Sequence, residues 1–480
     1  MSGTISNKER MKIPLQDMPE QNPGARVNNF KEVPLGFEEA VALTESMRCL
    51  DNCKAPCIQG CPVGIDIPTF IKKIENRDFI GAARTLKKYN LLPAICGRVC
   101  PQQEQCELVC VIAKKGESVG IGRLERFAAD YERMSGSVEI PEVAPPTGRR
   151  VAVVGSGPAG LTGASELARL GHKVTIFEAL HRPGGVLVYG IPRFRLPIDV
   201  IDNEIDMLKK MGVEIVCNAV IGKTLTIDDL FSEGYDAALV GTGAGLPYFM
   251  GIPGENLCGI YSANEFLTRV NLMRADQFPD SLTPVFFGKK IAVIGAGDTA
   301  MDAARTSARM HPESVTVFYR RSREEAPCLP REMEHAEEEG VHLKFLTNPV
   351  KFIADDNYFV KAMECVKMEL GEPDASGRRS PREIPGSNYI EEVDTVVMAL
   401  GFGVNPIIKE TTPGLETNKK GIIIVDTATG KTSRDGVYAA GDIITGGATV
   451  IRAMGQAKVA AKAMHEYLMS KEPALAKTGA

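Results

Sequence analysis

Eight of the twelve cysteines in this 480-residue chain fall between positions 49 and 110, in two groups whose spacing could hold metal. The first reads Cys49-x3-Cys53-x3-Cys57-x3-Cys61-Pro and the second Cys96-x3-Cys100-Pro-x4-Cys106-x3-Cys110. Thiolates at this density can hold two [4Fe-4S] clusters, and cysteine followed by proline also occurs in ferredoxin-type cluster runs. Zinc is the alternative, although its structural sites usually show two well-separated, closely spaced ligand pairs. Spacing alone does not assign each thiol to a cluster. Disulfides would be the reading in a small secreted protein, but in a long chain with no secretory start metal ligation leads. Cys217, Cys258, Cys328 and Cys365 are isolated and read as buried apolar residues.

Two glycine-rich turns carry the remaining chemistry. GSGPAG at 155–160 follows the apolar run VAVV and opens a helical pattern, the context that makes G-x-G-x-x-G a dinucleotide fingerprint. Gly155 allows the turn, Gly157 and Ala159 let the backbone approach a pyrophosphate, and Gly160 permits close helix–strand packing, while the helix N-terminus attracts the anion. Glu178 ends the following strand, where a carboxylate can accept hydrogen bonds from both ribose hydroxyls, so this site reads as FAD or NAD. The second turn, GAGDTA at 295–300, supplies Gly295, Gly297, Asp298 and Thr299, with Ala300 in the third glycine's place. The strand after it, VTVFYRR, aligns Tyr319 with Glu178 and puts Arg320 and Arg321 next. A carboxylate there would repel a 2′-phosphate, whereas arginine pairs with it through a forked contact, so this site reads as NADP(H). Without the fingerprint the two arginines would read as a solvated charge run. No C-x-x-C pair stands beside either turn, so electrons are expected to leave a flavin through the clusters, which carry them singly.

Particular elements must position these motifs. Residues 1–43 are polar and proline-punctuated and read as an N-terminal arm, extended or wrapped on a partner, with no chemistry of its own. Residues 44–140 alternate the cysteine groups with helical patterning, as at Ile67, Phe70, Ile71 and Ile74, and predict a small helical cluster domain. PEVAPPTGRR at 141–150 is a linker. The order strand, glycine turn, helix, strand then occurs twice, at 151–179 and 291–321, an internal repeat of one nucleotide-binding unit. DAALVGTGAG (236–245) and DTVVMALGFG (394–403) each run a strand into a small-residue turn, as chains crossing between two such units need. The expected fold is α/β: an N-terminal helical iron–sulfur domain plus two Rossmann-like dinucleotide-binding domains, the second inserted in the first. FAD-binding segments 147–286 and 395–480 are expected to flank an NADPH-binding domain at 287–394.

Composition narrows the partners. The 44 % apolar share and 47 glycines describe a globular chain with many tight turns, too long for one ordinary core. A formal charge of −5 gives no global basic field and argues against general nucleic-acid binding. The start MSGTISNKER lacks a secretory pattern and no apolar stretch is long enough for a bilayer, so a cytoplasmic chain without a membrane span is expected.

The cysteine groups, the first fingerprint, GGVLVYGIPRFRLP, the second fingerprint with its YRR, and AAGDII together resemble the small subunit of glutamate synthase over nearly the whole chain. Within that family, PAICGRVCPQQEQCE, RLERFAADYE, YSANEFLTRVNLM and ATVIRAMGQAKVAA look similar to the large subunit of the NADH-dependent reduced ferredoxin:NADP oxidoreductases, which perform flavin-based electron bifurcation. The same module forms the N-terminal part of dihydropyrimidine dehydrogenase. The resemblance implies that Cys49, Cys53, Cys57 and Cys110 hold one cluster and Cys61, Cys100 and Cys106 the other, with Glu125 as its fourth ligand and Cys96 a non-ligand. From the residues alone, Glu125 would read as an ordinary helix-surface glutamate. The resemblance also implies FAD contacts from Gly185, Val186 and Arg195, from Val220 near the adenine, and from Gly441, Asp442 and Thr449. NADPH would meet Gly297 to Ala300, Arg320 and the Ala399-Leu400-Gly401 turn. The match departs near Pro327, where the dihydropyrimidine enzyme has a further arginine that Arg323 could replace.

The implied activity is NADP(H)-dependent electron transfer among FAD, two [4Fe-4S] clusters and ferredoxin, by bifurcation. Its other electron would go to a smaller subunit carrying FAD, a [2Fe-2S] centre and an NAD site. The rivals are the electron-input subunit of glutamate synthase, feeding a large subunit, and an NADPH-dependent reductase of other acceptors. A rival of another class is a non-catalytic electron-transfer or assembly subunit. With no glutaminase region in it, this chain alone is not expected to make glutamate from glutamine.

Overall fold

The computed structural model describes residues 5–136, 138–375 and 377–471. The apolar spacing at Ile67, Phe70, Ile71 and Ile74 becomes the buried face of the helix Ile67–Glu75, whose N-terminus Asp66 caps by accepting the Thr69 N–H at 3.4 Å. That helix packs against Phe79–Lys87 and Ile121–Ser135, and the core they share includes Cys57 and Cys106. Two of the candidate metal-binding cysteines therefore grow out of this domain's hydrophobic centre.

Two five-stranded parallel sheets follow. The first runs Val437–Ala439, Ala237–Val240, Arg150–Val154, Lys173–Phe177, Glu214–Val216. The second runs Ile260–Ser262, Thr395–Met398, Lys290–Ile294, Ser314–Phe318, His342–Lys344. Val151 to Val154 and Ile291 to Ile294 are buried, as central strands flanked by helices on both faces must be. The outermost strand of the first sheet comes after the whole of the second in sequence, so the second unit is inserted in the first, as expected. The two crossings, Leu246–Pro247 and Phe402–Gly403, pair antiparallel with each other.

The boundaries read from sequence need correction. Ile260–Ser262 and Thr395–Met398 pair side by side in the second sheet, so the second unit occupies the chain between the crossings at 246–247 and 402–403 rather than 287–394. A three-residue strand is too short to show a period, and this one was hidden inside the segment assigned to the first unit. The second unit also carries an antiparallel extension, in which Val360–Pro373 pairs with Thr347–Ala354, Arg379–Glu383 and Tyr389–Glu392. Of the four isolated cysteines, Cys328 and Cys365 are buried, but Cys258 is exposed and Cys217 half-buried. No helix among the described residues is long and apolar enough to cross a membrane.

The N-terminal segment wraps, and what it wraps is the rest of this chain. Arg10 is buried against the cluster domain, donating to the carbonyl oxygen of Met47 at 2.8 Å, to that of Cys49 at 3.2 Å and to Glu75 at 2.8 Å. Glu32 accepts from Arg98 of the same domain at 2.7 Å, and the Val33 N–H donates to the Phe194 carbonyl of the first nucleotide unit at 2.9 Å. Arg26 donates to Glu339 of the second unit at 2.8 Å, and Glu339 also accepts from Arg305 at 2.9 Å and Arg309 at 2.6 Å. One strap thus ties all three units together.

Glu339 is the anion on which the strap's far end depends. Burial works to raise its pKa, but hydrogen bonds from Arg309 and Arg305 outweigh that and hold it down at about 2 against an ordinary 4.5. The folded value is depressed, so its stabilisation is complete above the ordinary value and is lost as pH falls toward about 2. Glu339→Gln leaves the buried Arg309 guanidinium without a carboxylate and takes one of two from Arg305 and one from Arg26, and is expected to destabilise the second unit by about 3–5 kcal/mol at neutral pH. Scanning calorimetry should show the gap between variant and parent closing as the pH is taken down through the acid range.

Candidate functional site

The first fingerprint forms one end of a cavity of about 660 Å³ that crosses from the first nucleotide unit to the edge of the second. Gly155 sits at φ +98°, and a Cβ on Gly160 would lie 1.9 Å from the Gly155 carbonyl oxygen, so only glycine lets the strand turn into Pro158–Arg169 this tightly. That helix begins at Gly157 without a side-chain cap, which leaves its N-terminal amides to a ligand. Gly155, Gly157 and Ala159 line the cavity, while Gly160 lies beneath it as a packing residue. Glu178 reaches the cavity with both oxygens already oriented: one accepts the Ser156 N–H at 3.0 Å together with the Ser156 hydroxyl, the other the Leu180 N–H at 2.8 Å. Gly185, Val186, Arg195 and Val220 line the walls, as do Asp442, Thr449 and Gly441, the last lying directly against Ala159. Thr449 also caps the helix Val450–Ser470. An elongated cavity with uncapped amides, a fixed carboxylate and mostly apolar walls fits FAD.

The second fingerprint meets this cavity only at its tip. Asp298, Thr299 and Gly401 line it; Gly295, Gly297, Ala300, Ala399 and Leu400 lie outside its lining. Asp298 accepts the Leu329 N–H at 2.9 Å, and Asp302, one turn on, binds Arg195 through both oxygens at 2.8 and 2.9 Å. Arg195 is therefore an interdomain clamp as well as a wall residue. The two arginines after the strand part company. Arg321 is buried and donates to Asp374 at 2.6 Å and to the Arg379 carbonyl at 2.8 Å, so its side chain is committed within the second unit. Arg320 is exposed, with no partner among the described residues, and is the one available to a 2′-phosphate. Arg323, the substitute near Pro327, is paired with Glu337.

The cysteines divide between two further cavities. Cys49, Cys53, Cys57 and Cys110 line one, with Ile67, Ile71 and Ile121 among its apolar walls. Cys61, Cys100, Cys106 and Glu125 line the other, with Gln102, Gln105 and Ile451. Interleaved spacing has thus brought together Cys110 with the first group and Cys61 with the second, a division that no reading of local spacing could make. Cys96 lines neither cavity. Burial and the neighbouring thiols push Cys49 up to about 12, and burial first pushes Cys57 to about 12 and Glu125 to about 8. Buried and half-buried sulfur donors in fours or threes, the latter joined by a carboxyl group that has no cationic partner among the described residues, fit a cationic metal core that would hold them deprotonated.

The three cavities share walls. Val99 and Pro101 line the dinucleotide cavity while Cys100 and Gln102, alternating with them, line the second cysteine cavity. On the facing helix Thr449, Val450 and Ala453 line the former and Ile451 the latter. Gln105 donates to Thr449 across the divide at 3.4 Å. Ile67 and Ile121 in turn stand between the two cysteine cavities. Tyr189, which sequence reasoning did not single out, also lines the dinucleotide cavity; burial, with Asp442 and Glu178 nearby, pushes its hydroxyl up to about 12. Its place inside GGVLVYGIPRFRLP was the available signal.

Residues 26–137 match the family model described as dihydropyrimidine dehydrogenase domain II, 4Fe-4S cluster, and residues 149–463 that of pyridine nucleotide-disulphide oxidoreductase. The chain is 34 % identical to the glutamate synthase [NADPH] small chain of Escherichia coli strain K12, over 94 % of this chain and 97 % of that one. It is 38 % identical to the NADP(+)-dependent formate dehydrogenase subunit beta of Moorella thermoacetica, over 86 % of this chain but only 60 % of the relative's length. The solved structure of Mycobacterium tuberculosis FprA in complex with NADPH covers 68 % of this chain and 85 % of its own at a TM-score of 0.55 and 20 % identity, a likeness of fold.

The geometry around the two arginines yields a direct test. Arg320→Ala takes away the guanidinium open to a 2′-phosphate, a charge-assisted contact of about 1.5–3 kcal/mol, and is expected to raise KM for NADPH roughly 10- to 150-fold while leaving KM for NADH unchanged. Arg321→Ala is expected to lower the thermal midpoint instead, because it strips Asp374 of its buried partner. Steady-state kinetics and melting curves on both variants separate the two roles.

Proposed function

The chain belongs to the glutamate synthase small-chain family and to the pyridine nucleotide-disulphide oxidoreductases, and from that premise we propose that it relays electrons between NADPH and a partner through FAD and two [4Fe-4S] clusters. That it is an NADP-dependent iron–sulfur oxidoreductase follows from the family. The observation that carries the relay is the row of three cavities with common walls, running from the dinucleotide cavity past Cys100 and Gln105 to the second cysteine cavity and past Ile67 and Ile121 to the first. Bound FAD would exchange a hydride with nicotinamide as an electron pair and exchange electrons singly with clusters.

The residues divide that work. The amides at Gly157 and Ala159 would hold the pyrophosphate and Glu178 the adenosine ribose, with Gly441, Asp442 and Thr449 near the pyrophosphate and the flavin ring. Asp298, Thr299 and Arg320 would hold NADPH. Cys49, Cys53, Cys57 and Cys110 would ligate one cluster, and Cys61, Cys100, Cys106 and Glu125 the other. Proximity of the second set to the dinucleotide cavity makes it the entry cluster, and the first set the one that faces an external acceptor. We take that acceptor to be ferredoxin, with a NAD-linked subunit carrying FAD and a [2Fe-2S] centre receiving the other electron, in a bifurcating complex. The resemblance of the C-terminal and cluster-domain segments to bifurcating oxidoreductases supports this reading. The near-complete overlap with a glutamate synthase small chain favours a second, in which the same relay feeds a large amidotransferase subunit.

Purification of the native complex, followed by anaerobic assay of NADP⁺ reduction with NADH and reduced ferredoxin, separately and together, decides between them. Strict dependence on both donors is the expected result. Reduction by either donor alone, or copurification of a glutaminase-bearing subunit, removes bifurcation and leaves an electron-input subunit. Absence of NADPH-dependent dye reduction by the FAD-loaded chain would remove the relay itself.

A further inference from the structure

Glu125 and Cys96 both lie within reach of the second cysteine cavity, and the structure uses one of them there. Glu125 lines it; Cys96, fully buried on the helix Pro93–Val99, packs beside Cys100 but does not. The residue that touches both is Asn90, itself fully buried. Its side-chain nitrogen donates to one oxygen of Glu125 at 2.7 Å. Its side-chain oxygen accepts the Leu92 N–H at 2.9 Å, which fixes which end of the amide is which, because the end that faces a backbone donor must be oxygen. The Cys96 sulfur lies 3.8 Å from the same oxygen and 3.6 Å from the Met454 sulfur. Asn90 is anchored independently of the cavity, its own N–H donating to the Leu86 carbonyl at 2.9 Å at the end of the helix Phe79–Lys87.

We propose that Asn90 is the positioning residue that presents Glu125, in place of Cys96, to the second cluster. Its amide holds one carboxylate oxygen and leaves the other to the metal, while its oxygen and Met454 hold the Cys96 sulfur aside. A carboxylate is a harder ligand than a thiolate, so the choice between the two sets the electronic character of the cluster nearest the flavin. The inference rests on the proposed ligand set of that cluster and adds the group that selects it.

The test uses the full chain, loaded with FAD and clusters, followed by potentiometric EPR and by melting curves. Asn90→Leu is expected to change the g-values and midpoint potential of one cluster only, the second, while flavin content and the first cluster's signal stay at parent values. A merely structural role would move the melting temperature and leave the second cluster's spectrum as it was. Cys96→Ser alone is expected to leave both signals unchanged, and adding it to Asn90→Leu is expected to remove iron from the second site, since the released thiol is the replacement ligand. Should Asn90→Leu fail to accumulate, Asn90→Asp, which keeps the shape and the acceptor for Leu92, carries the same expectation. Parent values for both clusters in the Asn90 variant overturn the proposal. A parent-like second cluster in Glu125→Ala, or its loss in Cys96→Ser alone, instead overturns the ligand set beneath it.

Discussion

Electron exchange falls off steeply with the thickness of protein between two carriers, and in the proposed relay that thickness would be set by one contact. The segment Val99 to Gln102 and the first turn of the helix Val450–Ser470 are at once the wall of the dinucleotide cavity and the wall of the second cysteine cavity. Two features of the C-terminal helix keep those pieces of chain together. A Cβ on Gly455 would lie 2.7 Å from the Pro62 carbonyl oxygen, so the helix can approach the cluster domain this closely only with glycine there. Lys458 on the same helix donates to the Tyr89 carbonyl at 2.6 Å, one residue before Asn90.

The apolar packing makes this contact rigid. Leu92, Ile95, Cys96 and Cys100 of the cluster domain belong to the same buried core as Ile451, Met454 and Ala457 of the C-terminal helix and Val151 and Leu239 of the first sheet. The cluster domain and the first nucleotide unit therefore share one hydrophobic interior. Polar contacts such as Gln105 to Thr449 and Lys458 to the Tyr89 carbonyl accompany this apolar junction, and burial of such a continuous surface favours a fixed relative position.

The second nucleotide unit is joined differently. It has its own core, and its links to the rest include ion pairs: Arg195 with Asp302 beside the cavity, and Arg26 of the strap with Glu338 and Glu339. Charged groups buried as deeply as Asp302, Arg26 and Glu339 are costly to leave unpaired, so these links specify one docked geometry rather than a range of them. The tip of the second fingerprint thus stands at the dinucleotide cavity because carboxylates on two of its helices, Asp298–Ala308 and Pro330–Glu338 with its C-terminal cap, find arginines outside the unit.

The fingerprints, the carboxylate at Glu178 and the repeat that makes two nucleotide units were legible in the sequence, because they depend on local backbone geometry: a glycine turn, a helix start and a strand end within a short stretch of chain. The density of cysteines announced metal for the same reason. What sequence could not decide were the facts that depend on residues far apart in the chain meeting in space. Spacing left the thiols unassigned, and folding put Cys110 with Cys49 and Cys61 with Cys106. Two adjacent arginines looked alike, and Asp374 claimed one of them. A three-residue strand moved the domain boundary, and a segment read as an arm became a strap because Glu75, Glu32's partner Arg98, and Glu339 came to lie along its path. Glu125, an ordinary surface glutamate by its own neighbours, became a cavity residue only when Asn90 folded over it, since burial and hydrogen-bond partnership are properties of the packed molecule and not of any stretch of sequence.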